Sequence, residues 1–228
     1  MPESDEVLSR GALRHELAKR LLIEIFSGKM PEGTRLIAMN LAARFGVSCT
    51  PVREALFELE ASEVIEVIHN RGAVVKRFGP EELREIFQIR RIIEAEAARL
   101  ACPRIDKTVL EGLRRKLKDL AKQRRSPQWF DLEMTADREL HELVAANCGI
   151  TRLAKEFQRY NGLVEALRSV VGNEGQALRE AVESHLAIVD AMIARDPDAA
   201  AAAMTHHIEQ AGRSAELAIF GKPKRAAN

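Results

Sequence analysis

Residues 47–60 read VSCTPVREALFELE, and the fold turns on how this stretch is read. A small polar cluster precedes a proline. Apolar residues then recur at Val52, Ala55, Leu56 and Leu59, the spacing of a helix with one buried face. Thr50 reads as the N-cap and Pro51 as the first helical residue, where a missing N–H costs nothing. Arg53 falls in the first turn, on the face opposite the leucines, so it points at something outside the fold. Upstream, Leu13, Leu17, Leu21 and Ile25 form the stripe of another helix, which ends near Ser27-Gly28. Pro31-Glu32-Gly33 is a turn, and a short helix over 39–45 is stopped by Gly46. Downstream, VIEVI (64–68) and AVVK (73–76) are β-branched runs separated by HNRG (69–72), which predicts a hairpin.

Helix, short helix, tight turn, helix and hairpin in that order is a winged helix-turn-helix, occupying 8–77. In that arrangement the second helix of the pair enters the DNA major groove by its N-terminal end. Guanine offers O6 and N7 there to a guanidinium fork, and Arg53 is placed to supply one. Arg35 before the short helix, Arg44 within it and Arg71 at the hairpin tip could line one basic surface with it. The plainer alternative is that Arg53 decorates a solvated face. Bulk charge does not decide between them. The formal net charge is +1, and residues 1–79 carry eleven Lys/Arg and eleven Asp/Glu. Any nucleic-acid case rests on placement.

After a short break at 78–80, only helical periodicity appears up to about residue 220. Six helices are predicted near 81–102, 106–124, 128–147, 150–171, 174–194 and 197–219, with breaks at Cys102-Pro103, Ser126-Pro127, Cys148-Gly149, Gly172-Asn173 and Asp196-Pro197. The chain is therefore mainly α, with a second, all-helical domain over 81–220. Its 228 residues, 46% hydrophobic and 30% charged, suffice for two cores and argue against disorder. No apolar run is long enough for a membrane span. The acidic opening MPESDEVLSR is not a signal peptide. Cys49, Cys102 and Cys148 are odd in number and far apart, which suggests a reduced, cytoplasmic protein.

The helical part carries polar residues where its stripes call for leucines. Arg90 lies on the stripe of Leu83, Ile86/Phe87, Ile93/Glu94 and Leu100. Asp137 and His141 follow Phe130 and Met134, His185 sits between Val182 and Val189, and His207 follows Ala203/Met204. His206 points about 100° away from His207 and is expected outside. Burying an unpaired carboxylate is expensive. Asp137 and His141, four apart, share a face and can hold one ion together. Three imidazoles and a carboxylate suit a divalent transition metal such as zinc, nickel, manganese or iron. Taken one at a time, a histidine on an apolar stripe is usually a satisfied core residue, and Arg90 could simply pair with Glu94 one turn on.

The pieces GKMPEGTRL, LAARFGVSCTPVREAL and NRGAVV resemble the N-terminal domain of the GntR family of bacterial transcription regulators. The resemblance implies DNA contacts by Arg35, Thr50 and Arg53, with Gly72 at the wing tip close to the minor groove. Two positions depart from the pattern. Cys49 stands where an Arg or another polar contact is usual, and a thiol is a poor base reader. Glu63 stands where a Gly is usual, so its backbone is expected to be strained or its turn different. Phe57 lies off the leucine face, where the wing or the second domain could cover it. The pieces IRRIIEAEAARLA, DRELHELVAANCG, ESHLAIVDAMIARD and AAMTHHI resemble the FCD effector domain of the FadR-type branch. That resemblance implies metal ligation by Asp137, His141, His185 and His207, with zinc the first candidate. It also implies a small carboxylate effector on the open metal positions, and Arg90 paired with that effector or supporting its pocket. Six helices rather than seven place the domain nearer the VanR-like variant.

The expected function is a ligand-responsive, DNA-binding transcription regulator, a repressor by the usual sense, acting as a homodimer on a short palindrome. A sensor whose signal is the metal itself is the alternative. A metal-dependent enzyme is the rival from another class. The sequence has no HExxH and no pair of Glu-x-x-His motifs to support it.

Overall fold

A computed structural model describes residues 10–68, 72–124, 126–171 and 175–221. The chain divides into two compact units. The first takes the chain up to Gly79 together with Arg159–Val170, and the second takes Pro80–Gln158 and the chain from Val171 onward.

In the first unit, α1 (Arg10–Phe26) is followed by β1 (Arg35–Leu36), α2 (Ala38–Phe45), α3 (Cys49–Ala61), β2 (Ile65–Ile68) and β3 (Gly72–Val75). Leu17, Leu21 and Leu22 of α1 are buried, as are Val52, Leu56 and Leu59 of α3 and Leu36, Ile65 and Val75 of the sheet. Gly46 ends α2 in the left-handed region (φ 67°), its N–H bonded to Ala42 O. The expected hairpin forms, with Ile65 opposite Val75 and Val67 opposite Ala73. Its turn, His69 to Arg71, lies outside the described residues, and Arg71 with it.

Three local features differ from the sequence reading. The sheet has a third strand: β1 pairs antiparallel with β3, in the order β1-β3-β2, so Arg35 is a strand residue opposite Val74. The N-cap of α3 is Ser48, with extended backbone and no side-chain cap bond. The helix begins at Cys49, which puts Thr50 and Pro51 inside its first turn. Proline is tolerated there because the first N–H groups of a helix have no intrahelical acceptor anyway. Phe57 stays 60% exposed.

The second unit is built from α4 (Pro80–Ala101), α5 (Lys107–Lys122), α6 (Pro127–Asn147), the first turns of α7 (Thr151–Val171), α8 (Gly175–Ile193) and α9 (Pro197–Phe220). Three of these helix starts follow from a side-chain cap. Asp106 accepts from Thr108 N at 2.7 Å, Ser126 from Trp129 N at 3.1 Å, and Asp196 from Ala199 N at 3.0 Å. Caps of this kind stabilise by about 1 kcal/mol each. Leu110, Leu113, Leu117 and Leu120 make the buried stripe of α5. α4 packs along α9, α8 on both α9 and α5, and α6 on α4. The α4–α9 approach is close enough that a Cβ at Gly212 would lie 3.0 Å from the Phe87 ring. Arg195, after α8, adopts φ 59°, which nothing in the sequence announced. No helix among the described residues is long and apolar enough to cross a membrane.

Candidate metal centre and DNA-reading surface

The stripes that carry polar residues converge inside the second unit. His141 of α6, His185 of α8 and His207 of α9 are all buried, and Asp137, one turn before His141, is half-buried. Their Nε2 and Oδ1 atoms face one another. His141 Nε2 is 3.2 Å from His207 Nε2, which is 3.3 Å from His185 Nε2. Asp137 Oδ1 is 3.1 Å from His185 Nε2 and 3.7 Å from His141 Nε2. One ligand atom from each of the four lies within 4.8 Å of every other. Ligands about 2.0–2.2 Å from a shared ion stand roughly 3.3–3.6 Å apart in a tetrahedron, close to the four shorter separations. His206 is exposed, as its helical phase requires. The four-residue set can hold a metal ion, with the imidazoles neutral and the carboxylate ionised.

A second layer surrounds these groups, and most of it escaped the sequence. Ser184 Oγ lies 2.8 Å from His207 Nδ1. Glu94 of α4 is buried and brings Oε2 to 2.5 Å from His141 Nδ1. The approach is a close polar contact rather than a well-aligned hydrogen bond. Arg90 Nε donates to Glu94 Oε1 at 2.7 Å, so the intrahelical pair open in the sequence is present. Burial opposes ionisation of Glu94, but Arg90 and His141 outweigh it and hold its carboxyl below the usual carboxylate range. Burial first, then the neighbouring His185 and His141, push His207 well below the ordinary histidine range, leaving it a neutral imidazole. Phe157 closes one side, stacked on the His141 ring at 6.1 Å and 11°. Glu133, fully buried one turn before Asp137, was also missed, because position 134 looked like the stripe.

The first unit keeps its polar candidates outside. Thr50 and Arg53, three apart on α3, are exposed on one face, and Arg35 is exposed on β1. Neither Arg35 nor Arg53 forms an ion pair among the described residues. Arg44 is exposed but tied to Glu24 of α1 by an ion pair. Gly72 has a structural reason of its own: its φ is 86°, and a Cβ would lie 2.7 Å from Leu36 O. Glu63, flagged because a glycine is usual there, has φ 58°. The expected strain is present.

Residues 13–75 match the family described as "Bacterial regulatory proteins, gntR family", and residues 85–210, more than half the chain, match the FCD domain. The chain belongs to the GntR family and carries an FCD domain. Among relatives of this GntR regulator is the "probable D-xylose utilization operon transcriptional repressor" of Paenarthrobacter nicotinovorans, 30% identical over 212 residues, with 91% of each chain covered. The "HTH-type transcriptional repressor RspR" of Escherichia coli is 27% identical over 185 residues, covering 80% of this chain and 79% of that one. In fold it is similar to E. coli McbR/YncC, with a TM-score of 0.66 at 23% identity, covering 87% of this chain and 94% of the other. This GntR protein is thus a transcriptional regulator, and its relatives are regulators rather than enzymes.

Proposed function

We propose that this GntR protein is a metal-dependent, ligand-responsive repressor that binds a short palindromic operator as a cytoplasmic homodimer. The convergence of three histidine nitrogens and one carboxylate oxygen on a single point carries the reading. Asp137, His141, His185 and His207 hold one divalent ion. Zinc is the first candidate, and nickel, manganese and iron have compatible donor preferences. When bound, the ion supplies a Lewis-acidic anchor for a small organic acid. Arg90 lies one helical turn from Glu94 in the same interior and supports the carboxylate end of that site. The effector acts by binding better to one disposition of the dimer than to another.

In the first unit, Arg53 and Thr50 read the major groove. Arg35 and Arg44 contact the backbone, Arg44 by trading its Glu24 partner for phosphate. The Gly72 backbone sits at the minor-groove edge, and Arg71 adds a cation to the same DNA-binding set. The repressor sense is supported by the two relatives named as repressors. The test is metal analysis of the purified full chain beside the His185→Ala/His207→Ala variant. About one ion per chain, absent from the variant, is expected. A folded native protein without metal would sink the reading. If the ion itself is the signal, chelation alone will change operator affinity with no acid present.

A further inference from the structure

We infer that Glu94 and Ser184 are positioning residues that fix which nitrogen His141 and His207 offer to the ion, and that both offer Nε2. This rests on the metal reading above. Ser184 Oγ lies 2.8 Å from Ala181 O and 2.8 Å from His207 Nδ1. A carbonyl only accepts, so the hydroxyl hydrogen goes to Ala181 and a hydroxyl lone pair is left for the ring. His207 Nδ1 therefore carries its hydrogen, and Nε2 keeps the lone pair.

On the other side, Glu94 Oε1 accepts from Arg90 Nε while Oε2 approaches His141 Nδ1 at 2.5 Å. A carboxylate paired with a guanidinium is ionised and accepts only. His141 Nδ1 is then also the protonated nitrogen, and its Nε2 is free. The two free Nε2 atoms stand 3.2 Å apart. Two lone pairs at that distance repel, whereas a cation between them turns the same spacing into a bite. Arg90 thus has a structural task, holding Glu94 by Oε1 so that Oε2 faces the ligand. His185 is built differently. Its Nδ1 is buried without a hydrogen bond among the described residues. Its ring is held by packing, edge-on to His141 at 5.9 Å and tilted against His207 at 4.4 Å. Two imidazoles are set from behind by polar partners, on α4 and α8, and the third is not.

The experiment compares Zn²⁺ affinity, by competition with a chromophoric chelator, for the full-length wild type, Ser184→Thr and Ser184→Val. Thr and Val have the same shape and differ in the hydroxyl, so any packing fault is common to both. Ser184→Val is expected to bind about 10–100-fold more weakly, and Ser184→Thr to recover most of the loss. In the Co²⁺-loaded proteins, the shifted exchangeable Nδ1–H resonance of His207 should persist with Thr and exchange away with Val. Glu94→Gln, which keeps the shape but not the charge, should fall in the same 10–100-fold range. Equal affinities for the Thr and Val variants, or wild-type affinity in Glu94→Gln, overturn the role of that residue and leave the metal reading standing. A wild type that takes up no Zn²⁺ overturns both.

Discussion

In the first unit, apolar side chains such as Leu21, Leu56 and Leu59 fill the interior, and the groups assigned to DNA, Arg35, Thr50 and Arg53, stand in solvent. In the second, the groups assigned to function are the interior: His141, His185, His207, Glu94 and Arg90 are all less than a tenth exposed. The same chain therefore uses polar residues under two energy scales. An exposed arginine costs nothing to place, so its presence says little until the surrounding pattern fixes its direction. A buried imidazole or carboxylate costs several kcal/mol unless something compensates it. Its presence on an apolar stripe is already an argument, whatever the fold. Substitutions on the two sides should differ accordingly, in size and in what they change.

The largest expected effect is on Arg90. Removing it leaves Glu94 buried beside His141 without its cation. Arg90→Ala should lower unfolding free energy by about 3–5 kcal/mol, read from urea denaturation followed by circular dichroism. The paired replacement Arg90→Met/Glu94→Leu should recover much of that stability, because no charge is left uncompensated. It should not recover metal binding at wild-type strength. If Arg90→Ala costs no more than an exposed substitution, the interior is wetter than the geometry implies and the contrast between the units fails.

Metal removal comes next. An ion bound only by the folded chain, at about a hundredfold over its dissociation constant, stabilises by roughly 2.7 kcal/mol. Calorimetry with and without chelator should show the melting temperature falling in wild type and unmoved in His185→Ala/His207→Ala. A fall in both would mean that the chelator acts somewhere other than these four ligands.

Arg53 sharpens the other side of the comparison. Arg53→Ala should weaken operator binding by about 1–3 kcal/mol, read by fluorescence anisotropy at fixed salt. Its thermal midpoint and metal content should match wild type, because the side chain is exposed and pairs with no described group. Loss of stability along with affinity would move Arg53 from reader to scaffold.

What was legible in the sequence follows the same division. The six helices from Pro80 onward fall within about two residues of their predicted limits, because capping residues and prolines mark many of their ends locally. The four inward metal candidates were legible because each broke an apolar stripe. Their partners were not. Glu94 could be read only as the i+4 neighbour of Arg90, since its contact with His141 exists only once α4 meets α6. Ser184 carried one weak signal, its place next to His185, yet it serves His207 on another helix. β1 was invisible because two residues hold no periodicity, and the strand exists through its pairing with β3. The cap of α3 was misplaced by two residues because Ser48 and Thr50 are both good cap residues, and Pro51 is permitted anywhere in the first turn.

The smallest expected effect tests a departure that was legible. Glu63 follows α3 at φ 58°, a conformation that costs an L residue about 1–2 kcal/mol. Its side chain is 86% exposed, and its carboxylate stands 3.7 Å from Lys76 Nζ, a pair open to solvent and worth little. Glu63→Gly relieves the backbone but also loosens the unfolded chain, which offsets about 0.4–1 kcal/mol of the gain. The net expectation is a stabilisation of up to about 1 kcal/mol. It should appear as a higher urea midpoint with an unchanged slope. Operator affinity should stay at wild-type level, because the strain lies at the far end of α3 from Arg53. A destabilised variant would show that the Lys76 contact, not the backbone, decides this turn. An altered operator affinity would show that the left-handed residue sets how α3 leads into the wing, and so that the first unit, like the second, hides part of its function away from the surface that does the reading.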